Sequence, residues 1–140
     1  MPEQRAPRRK TRRPTVLVTD ASLHLRDIYA TLLRYHGYRA LEASDGAETV
    51  EIARAVQPDA IILDMDGPGV NGLEAARILS DDPSTASTPV ILLSLHSGVV
   101  YRRQARGARS RGYLEKPFEP RQLLREVERV LGRVSTPEAA

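Results

Sequence analysis

The chain contains no cysteine. A disulfide framework and a thiolate metal site are therefore excluded, and the lack of thiols suits a reducing cytoplasm, which is the expected compartment. Long apolar runs are missing as well. The longest, such as Ala60 to Leu63 and Val90 to Leu93, fall far short of the roughly 20 residues that span a bilayer, so no membrane segment is expected. The opening residues, M-P-E-Q-R-A-P-R-R-K-T-R-R-P, are basic without an apolar stretch behind them, and do not read as a secretory signal. What is present is enough for one globular domain with a single core: 140 residues, 41% hydrophobic.

Charge is segregated along the chain. Residues 1–13 carry six bases against one acid, residues 14–101 twelve acids against five bases, and residues 102–140 ten bases against five acids. The division expected is a basic, disordered tail over 1–13, a domain over 14–133 and a short C-terminal tail over 134–140. A solvated charge run accounts for the N-terminal tail. Nucleic acid is not expected as a partner, because no aromatic is interleaved with the tail and no helix-turn-helix follows the domain.

Five strand-helix units can be read in succession. T-V-L-V-T, Thr15 to Thr19, is a β-branched run ending at Asp20. A helix follows, with Ser22 as N-cap, Leu25, Ile28, Leu32 and Leu33 at helical spacing, and Gly37 ending it in the left-handed conformation. Tyr38 to Ala43 predicts a second strand, S-D-G a turn, and Ala47 to Val56 a second helix stopped by Pro58. Ala60 to Leu63 and Val90 to Leu93 predict the third and fourth strands, with a helix over Leu73 to Leu79 and a polar loop, D-D-P-S-T-A-S-T-P, between them. A fourth helix over 98–108 is the weakest element, since Gly98 and Gly107 each cost about 1 kcal/mol inside a helix. Gly112 to Leu114 is a short fifth strand. Pro120 opens a last helix whose Leu123, Leu124, Val127, Val130 and Leu131 form one apolar stripe.

Strands that are apolar throughout and alternate with helices predict an α/β fold: a doubly wound, five-stranded parallel sheet with helices on both faces. Sites in such sheets lie at the carboxyl ends of the strands. Those ends hold Asp20, Asp64, Ser94 and Lys116. Two carboxylates can share an oxygen-ligated divalent cation, most plausibly magnesium, which offsets their mutual repulsion. One of them, with Asp64 the better placed, can then attack a phosphoryl group in line, while Ser94 and Lys116 bind its oxygens. Singly, each has a plainer role: turn former, helix cap or solvated charge. Four in register at four strand ends carry more weight than any one.

The segments V-L-V-T-D, R-Y-H-G-Y, S-D-G-A-E-T, I-I-L-D-M-D-G-P-G-V-N-G-L-E, P-V-I-L-L-S and G-Y-L-E-K-P-F resemble, in order and spacing, the receiver domain of two-component response regulators, over roughly residues 14–132. The resemblance implies a flavodoxin-like receiver fold, phosphorylated on Asp64 by a sensor histidine kinase, and a stand-alone regulator acting through protein contacts. It implies Asp20 in the acidic pocket, Asp66 giving its backbone carbonyl to the metal, so that Asp20, Asp64 and Asp66 form the metal set, and Ser94 and Lys116 on the phosphoryl group. Tyr113 matches the aromatic that turns inward as Ser94 moves, although core packing would also explain it. The face of the fourth helix, fifth strand and last helix is where the family passes signals on. Arg102, Arg103, Arg106, Arg109 and Arg111 would there steer an acidic protein target, the chain being a monomer or weak dimer.

Three departures qualify this. Ala21 stands where the family usually has a second acid that ligates the metal, so weak magnesium binding is expected unless the Asp66 carboxylate compensates. Leu95 replaces a small residue beside the acceptor and predicts slow autodephosphorylation. His96 stands where the family tunes that rate, but a loop histidine without a partner visible in sequence is more often surface decoration. Two rival functions follow. A receiver fold that no longer takes phosphate would be a docking module. D-M-D-G also marks haloacid-dehalogenase-like phosphatases, though that family normally carries it on the opening strand with Thr after the Gly, and here Pro68 follows.

Overall fold

A computed structural model describes residues 13–66, 71–96 and 98–133. The expectations for the tails over 1–12 and 134–140, and for Gly67 to Val70 of the D-M-D-G-P-G-V stretch, lie outside the described residues. The elements are β1 (Thr15–Thr19), α1 (Leu23–Tyr35), β2 (Arg39–Ala43), α2 (Gly46–Val56), β3 (Ala60–Asp64), α3 (Gly72–Asp81), β4 (Val90–Ser94), α4 (Val99–Gly107), β5 (Gly112–Glu115) and α5 (Pro120–Leu131). All strand pairs are parallel, in the order β2-β1-β3-β4-β5. The doubly wound five-stranded sheet read from the sequence is therefore the fold.

The period of two along each strand explains the two-sided core. Val16, Val18, Ile62, Ile91 and Leu93 point to one face, where they pack with Tyr29, Ala30 and Leu33 of α1 and Leu123, Leu124 and Val127 of α5. Leu17, Ile61, Leu63 and Leu92 point to the other, against Val50 and Ala53 of α2, Ala75, Ala76 and Leu79 of α3, and Ala105 of α4. The central strands β1, β3 and β4 are buried along their whole length. Each fully buried Leu, Ile or Val side chain stabilises by about 1.5–3 kcal/mol, and this fixes the register that aligns the strand ends.

Local signals set the boundaries. The Ser22 hydroxyl accepts the Leu25 N–H at 3.2 Å, the Asp45 carboxylate that of Glu48 at 2.8 Å and the Asn71 side chain that of Glu74 at 2.9 Å, so α1, α2 and α3 each begin at a side-chain cap. Tyr38, expected in the second strand, instead belongs to the end of α1. Its N–H donates to Leu33 C=O at 3.0 Å and the Gly37 N–H to Arg34 C=O at 3.1 Å, a Schellman closure with Gly37 at φ +92°. The fourth helix survives its glycines because Gly98 lies before it, at φ +112°, and Gly107 is its last residue.

Candidate functional site

β1 and β3 are neighbours whose connections leave toward opposite edges of the sheet, so a crevice opens beyond their carboxyl ends. Thr19 pairs with Leu63, which sets Asp20 beside Asp64. Both are desolvated, Asp20 at 2% exposure and Asp64 at 8%. Asp64 pairs with Leu93, and Ser94 with Glu115, so Ser94 and Lys116 follow on the next two strands. The Lys116 N–H donates to Ser94 C=O at 2.7 Å, anchoring the lysine backbone to β4.

From there the Lys116 ammonium reaches back across the crevice to Asp20 Oδ2 at 3.1 Å and Asp64 Oδ2 at 3.2 Å. The remaining oxygens are held by backbone: Asp20 Oδ1 by the Ser22 N–H at 2.9 Å and Asp64 Oδ1 by the Asp66 N–H at 3.0 Å. Two carboxylates thus share one cation. Burial lifts the Asp64 pKa above its ordinary value; the Asp66 N–H and the Lys116 charge work against this, and Asp20 adds to it. Burial alone would lower the Lys116 pKa, but the charge of Asp64, with the hydrogen bond and charge of Asp20, outweighs it and leaves the ammonium more firmly protonated than in water. A desolvated carboxylate kept basic beside a fixed cation is suited to nucleophilic attack on an anionic group whose charge the cation can take up.

Of the residues singled out in the sequence, Asp20, Asp64 and Lys116 are in direct contact, and Ser94 lies fully buried on the adjoining strand with its hydroxyl accepting the His96 N–H at 2.9 Å. Asp66 is placed differently from the compensating role considered for it. One oxygen of its carboxylate accepts the Leu95 N–H at 2.7 Å, and the other lies 3.5 Å from His96 Nε2. His96, which shows no partner in the sequence, has two: Asp66, and Tyr101 of α4, stacked on its ring at 4.6 Å between centroids. The signal was equal spacing, since Asp66 and His96 each lie two residues past the end of adjacent strands. Tyr113 donates its hydroxyl to His96 C=O at 2.8 Å and packs its ring against the α2-α3-α4 side of the core, under the Arg102 guanidinium at 5.0 Å. Sequence reading missed Arg26, which donates to Asp20 C=O at 2.9 Å and pairs with Glu42, bracing the β1 end from α1.

The family model described as the response regulator receiver domain matches residues 16–128. The chain belongs to that family. Among curated relatives this receiver is 31% identical to Protein PilH of Pseudomonas aeruginosa over 83% of its own length and 95% of PilH. It is 33% identical to the phosphate regulon transcriptional regulatory protein PhoB of the same organism, over 85% of its own length, but spans only 52% of PhoB. Among solved structures, chemotaxis protein CheY4 of Vibrio cholerae superposes with a TM-score of 0.82 at 28% identity, covering 86% of the receiver and all of CheY4. The receiver domain of sensor histidine kinase PA1611 of Pseudomonas aeruginosa, described with a magnesium ion coordinated in its active site cleft, superposes with a TM-score of 0.79 at 26% identity, over 86% and 99% of the two chains.

Receiver domains are signalling modules of two-component systems, and they bind magnesium in this crevice. The donors present here suit that ion. Asp20 and Asp64 offer hard carboxylate oxygens side by side, and magnesium is commonly held by one or two carboxylates with water completing its shell. Ala21, next to Asp20, is exposed, and among the described residues no three acidic or histidine side chains converge. No helix among the described residues is long and apolar enough to cross a membrane.

Proposed function

We propose that Asp64 accepts a phosphoryl group from the phosphohistidine of a sensor histidine kinase, in a cytoplasmic phosphorelay. The observation that carries this reading is the Lys116 ammonium bridging Asp20 and Asp64 at 3.1 and 3.2 Å. An Asp64 oxygen attacks phosphorus in line, the bond to the kinase imidazole nitrogen breaks, and the imidazole departs. Lys116 moves its pairing from the carboxylates to a phosphoryl oxygen, and the Ser94 hydroxyl, released from the His96 N–H, donates to another. Asp20 and Asp64, with the Asp66 carbonyl, would hold a magnesium ion, which would offset the charge gathered on the phosphoryl oxygens. Tyr113 and Ser94 are the switch pair, joined through His96, whose N–H is bonded by one and C=O by the other.

Incubation of the protein with acetyl phosphate and magnesium, read by intact mass, is expected to show a single phosphoryl adduct in wild type and none in Asp64→Asn. Absence of adduct from both would leave the docking-module reading, which Ala21 favours. The phosphatase reading has less support, because the carboxylate it needs as acid and base, Asp66, is bonded to the Leu95 backbone. A second expectation concerns the missing acid: Ala21→Asp should tighten magnesium binding by roughly tenfold or more, the scale of a supporting ligand, in a titration followed by calorimetry. Equal affinities would show that Ala21 costs nothing.

Leu95, 67% exposed beside the acceptor, shields the aspartyl phosphate from water and slows its loss. The signal leaves by way of α4 and α5. Arg103, Arg106, Arg109 and Arg111 are exposed there, with Val99 and Val100 exposed in the first turn of α4, a surface suited to an acidic protein target with apolar groups.

A further inference from the structure

The Asp66 carboxylate is the one charged group at the mouth of the crevice that the phosphoryl-transfer reading leaves without a task. Its backbone N–H holds Asp64 Oδ1 at 3.0 Å, while its side chain reaches across to the next loop and takes the Leu95 N–H at 2.7 Å. The residue therefore stands between the acceptor and the β4-α4 connection. Leu95 follows Ser94 just past the carboxyl end of β4, and its N–H is held by a side chain from the loop after β3, the strand of Asp64. An N–H there is a donor that an anion on Asp64 would need, and it is already bonded to an anion.

The geometry points to Asp66 as a resident competitor for the phosphoryl group: its carboxylate occupies the Leu95 N–H in the unphosphorylated protein, latches the β4-α4 loop, and must be displaced for the aspartyl phosphate to be accommodated. This inference rests on Asp64 being the acceptor. Four contacts of His96 make the latched arrangement a defined state. The His96 N–H is bonded to Ser94 Oγ, its C=O to the Tyr113 hydroxyl, and its ring lies against Asp66 and stacks on Tyr101. A phosphoryl group on Asp64 acts on this arrangement twice. It repels the Asp66 carboxylate, a like charge, and it competes with that carboxylate for the Leu95 N–H while accepting a hydrogen bond from the Ser94 hydroxyl. Once the carboxylate swings out, the loop is free to close on the phosphoryl group. His96 then carries the displacement to α4 through Tyr101, so that one side chain both opposes phosphorylation and reports it.

The test compares wild type, Asp66→Asn and Asp66→Ala. The asparagine keeps an acceptor of the same reach without the charge; the alanine removes both. Initial rates of adduct formation with acetyl phosphate are measured at several magnesium concentrations, and exchange of the Leu95 amide proton is followed by NMR in the unphosphorylated proteins. In Asp66→Ala, phosphorylation is expected to be about three- to tenfold faster and the Leu95 amide to exchange roughly tenfold faster, the scale of one charge-assisted hydrogen bond. Asp66→Asn should fall between. A rate in Asp66→Ala equal to wild type, or Leu95 exchange unchanged, overturns the latch. A slower rate restored by added magnesium also overturns it, and makes the carboxylate a metal ligand instead. Adduct in none of the three proteins rejects the acceptor reading itself, a result distinct from adduct formed at equal rates.

Discussion

Lys116→Met is expected to lower the stability of the unliganded protein by about 2–4 kcal/mol at pH 7, because removing one partner of a buried ion cluster strands the others without a countercharge. Methionine keeps the length and apolar stem of lysine, so the effect reports the lost ammonium. The Lys116 side chain is 11% exposed and its partners less, which leaves water little room to substitute for it. The pH dependence follows from Asp64. Its pKa is raised by burial even with Lys116 opposing the rise; without the lysine it moves further up. A carboxyl whose folded pKa exceeds the unfolded value contributes stability that is fully present below the unfolded pKa, ordinarily near 3.8, and lost as pH rises through the folded pKa. The gap between wild type and variant should therefore shrink toward acidic pH, where the raised Asp64 pKa favours its neutral form, and widen toward neutrality. At the alkaline end the gap narrows again, since the raised pKa of Lys116 confers stability that is lost as pH passes above it. Urea denaturation at pH 4, 5.5 and 7 measures this. A gap that does not change with pH would show that the loss comes from packing. Adding Asp64→Asn to Lys116→Met should recover most of the loss, because one stranded charge goes with it.

The same cluster shows what the sequence could and could not disclose. The fold was legible because β1, β3 and β4 are buried on both faces, which demands continuous apolar runs, and because Ser22, Gly37 and Pro120 mark helix ends by local chemistry, whereas the caps at Asp45 and Asn71 came only with the structure. Tyr38 was misplaced because the Schellman closure that captures it competes with the strand for the same N–H. Within the site, Asp20, Asp64, Ser94 and Lys116 were legible as strand-end residues, since parallel register converts equal positions in four strands into one cluster. The direction of the Asp66 side chain was not. Whether that carboxylate turns to the metal pocket or to Leu95 is decided by how the loops after β3 and β4 meet, and no spacing along either loop encodes it. Equal spacing past the strand ends hinted at the pairing of His96 with Asp66, but nothing in the sequence showed that its ring would stack on Tyr101.

Gly72→Ala is expected to be strongly damaging for the addition of a single methyl group. A Cβ at Gly72 would lie 2.2 Å from the Asp64 carbonyl oxygen, 2.7 Å from its carbonyl carbon and 2.8 Å from Met65 Cα. All three are backbone atoms at the strand end that carries Asp64, so no side chain can swing aside to make room. Either the first turn of α3 or the Asp64–Met65 peptide must move, and overpacking of this kind costs about 1–3 kcal/mol or more. The functional loss should exceed the loss of stability. A shift of about 1 Å in a reacting group can cost on the order of a hundredfold in rate, and the peptide displaced is the one that orients the Asp64 carboxylate. Gly107→Ala is the matched control. It sits at the last position of α4, with nothing within 4 Å of the added Cβ, and should be neutral or stabilising by up to about 1 kcal/mol, since alanine has less chain entropy to lose. Measured side by side, Gly72→Ala should unfold at lower urea and take phosphate from acetyl phosphate about a hundredfold more slowly, with Gly107→Ala matching wild type in rate. Wild-type phosphorylation in a destabilised Gly72→Ala would mean that α3 absorbs the strain. The close approach of α3 to β3 would then serve packing alone and not the aim of Asp64.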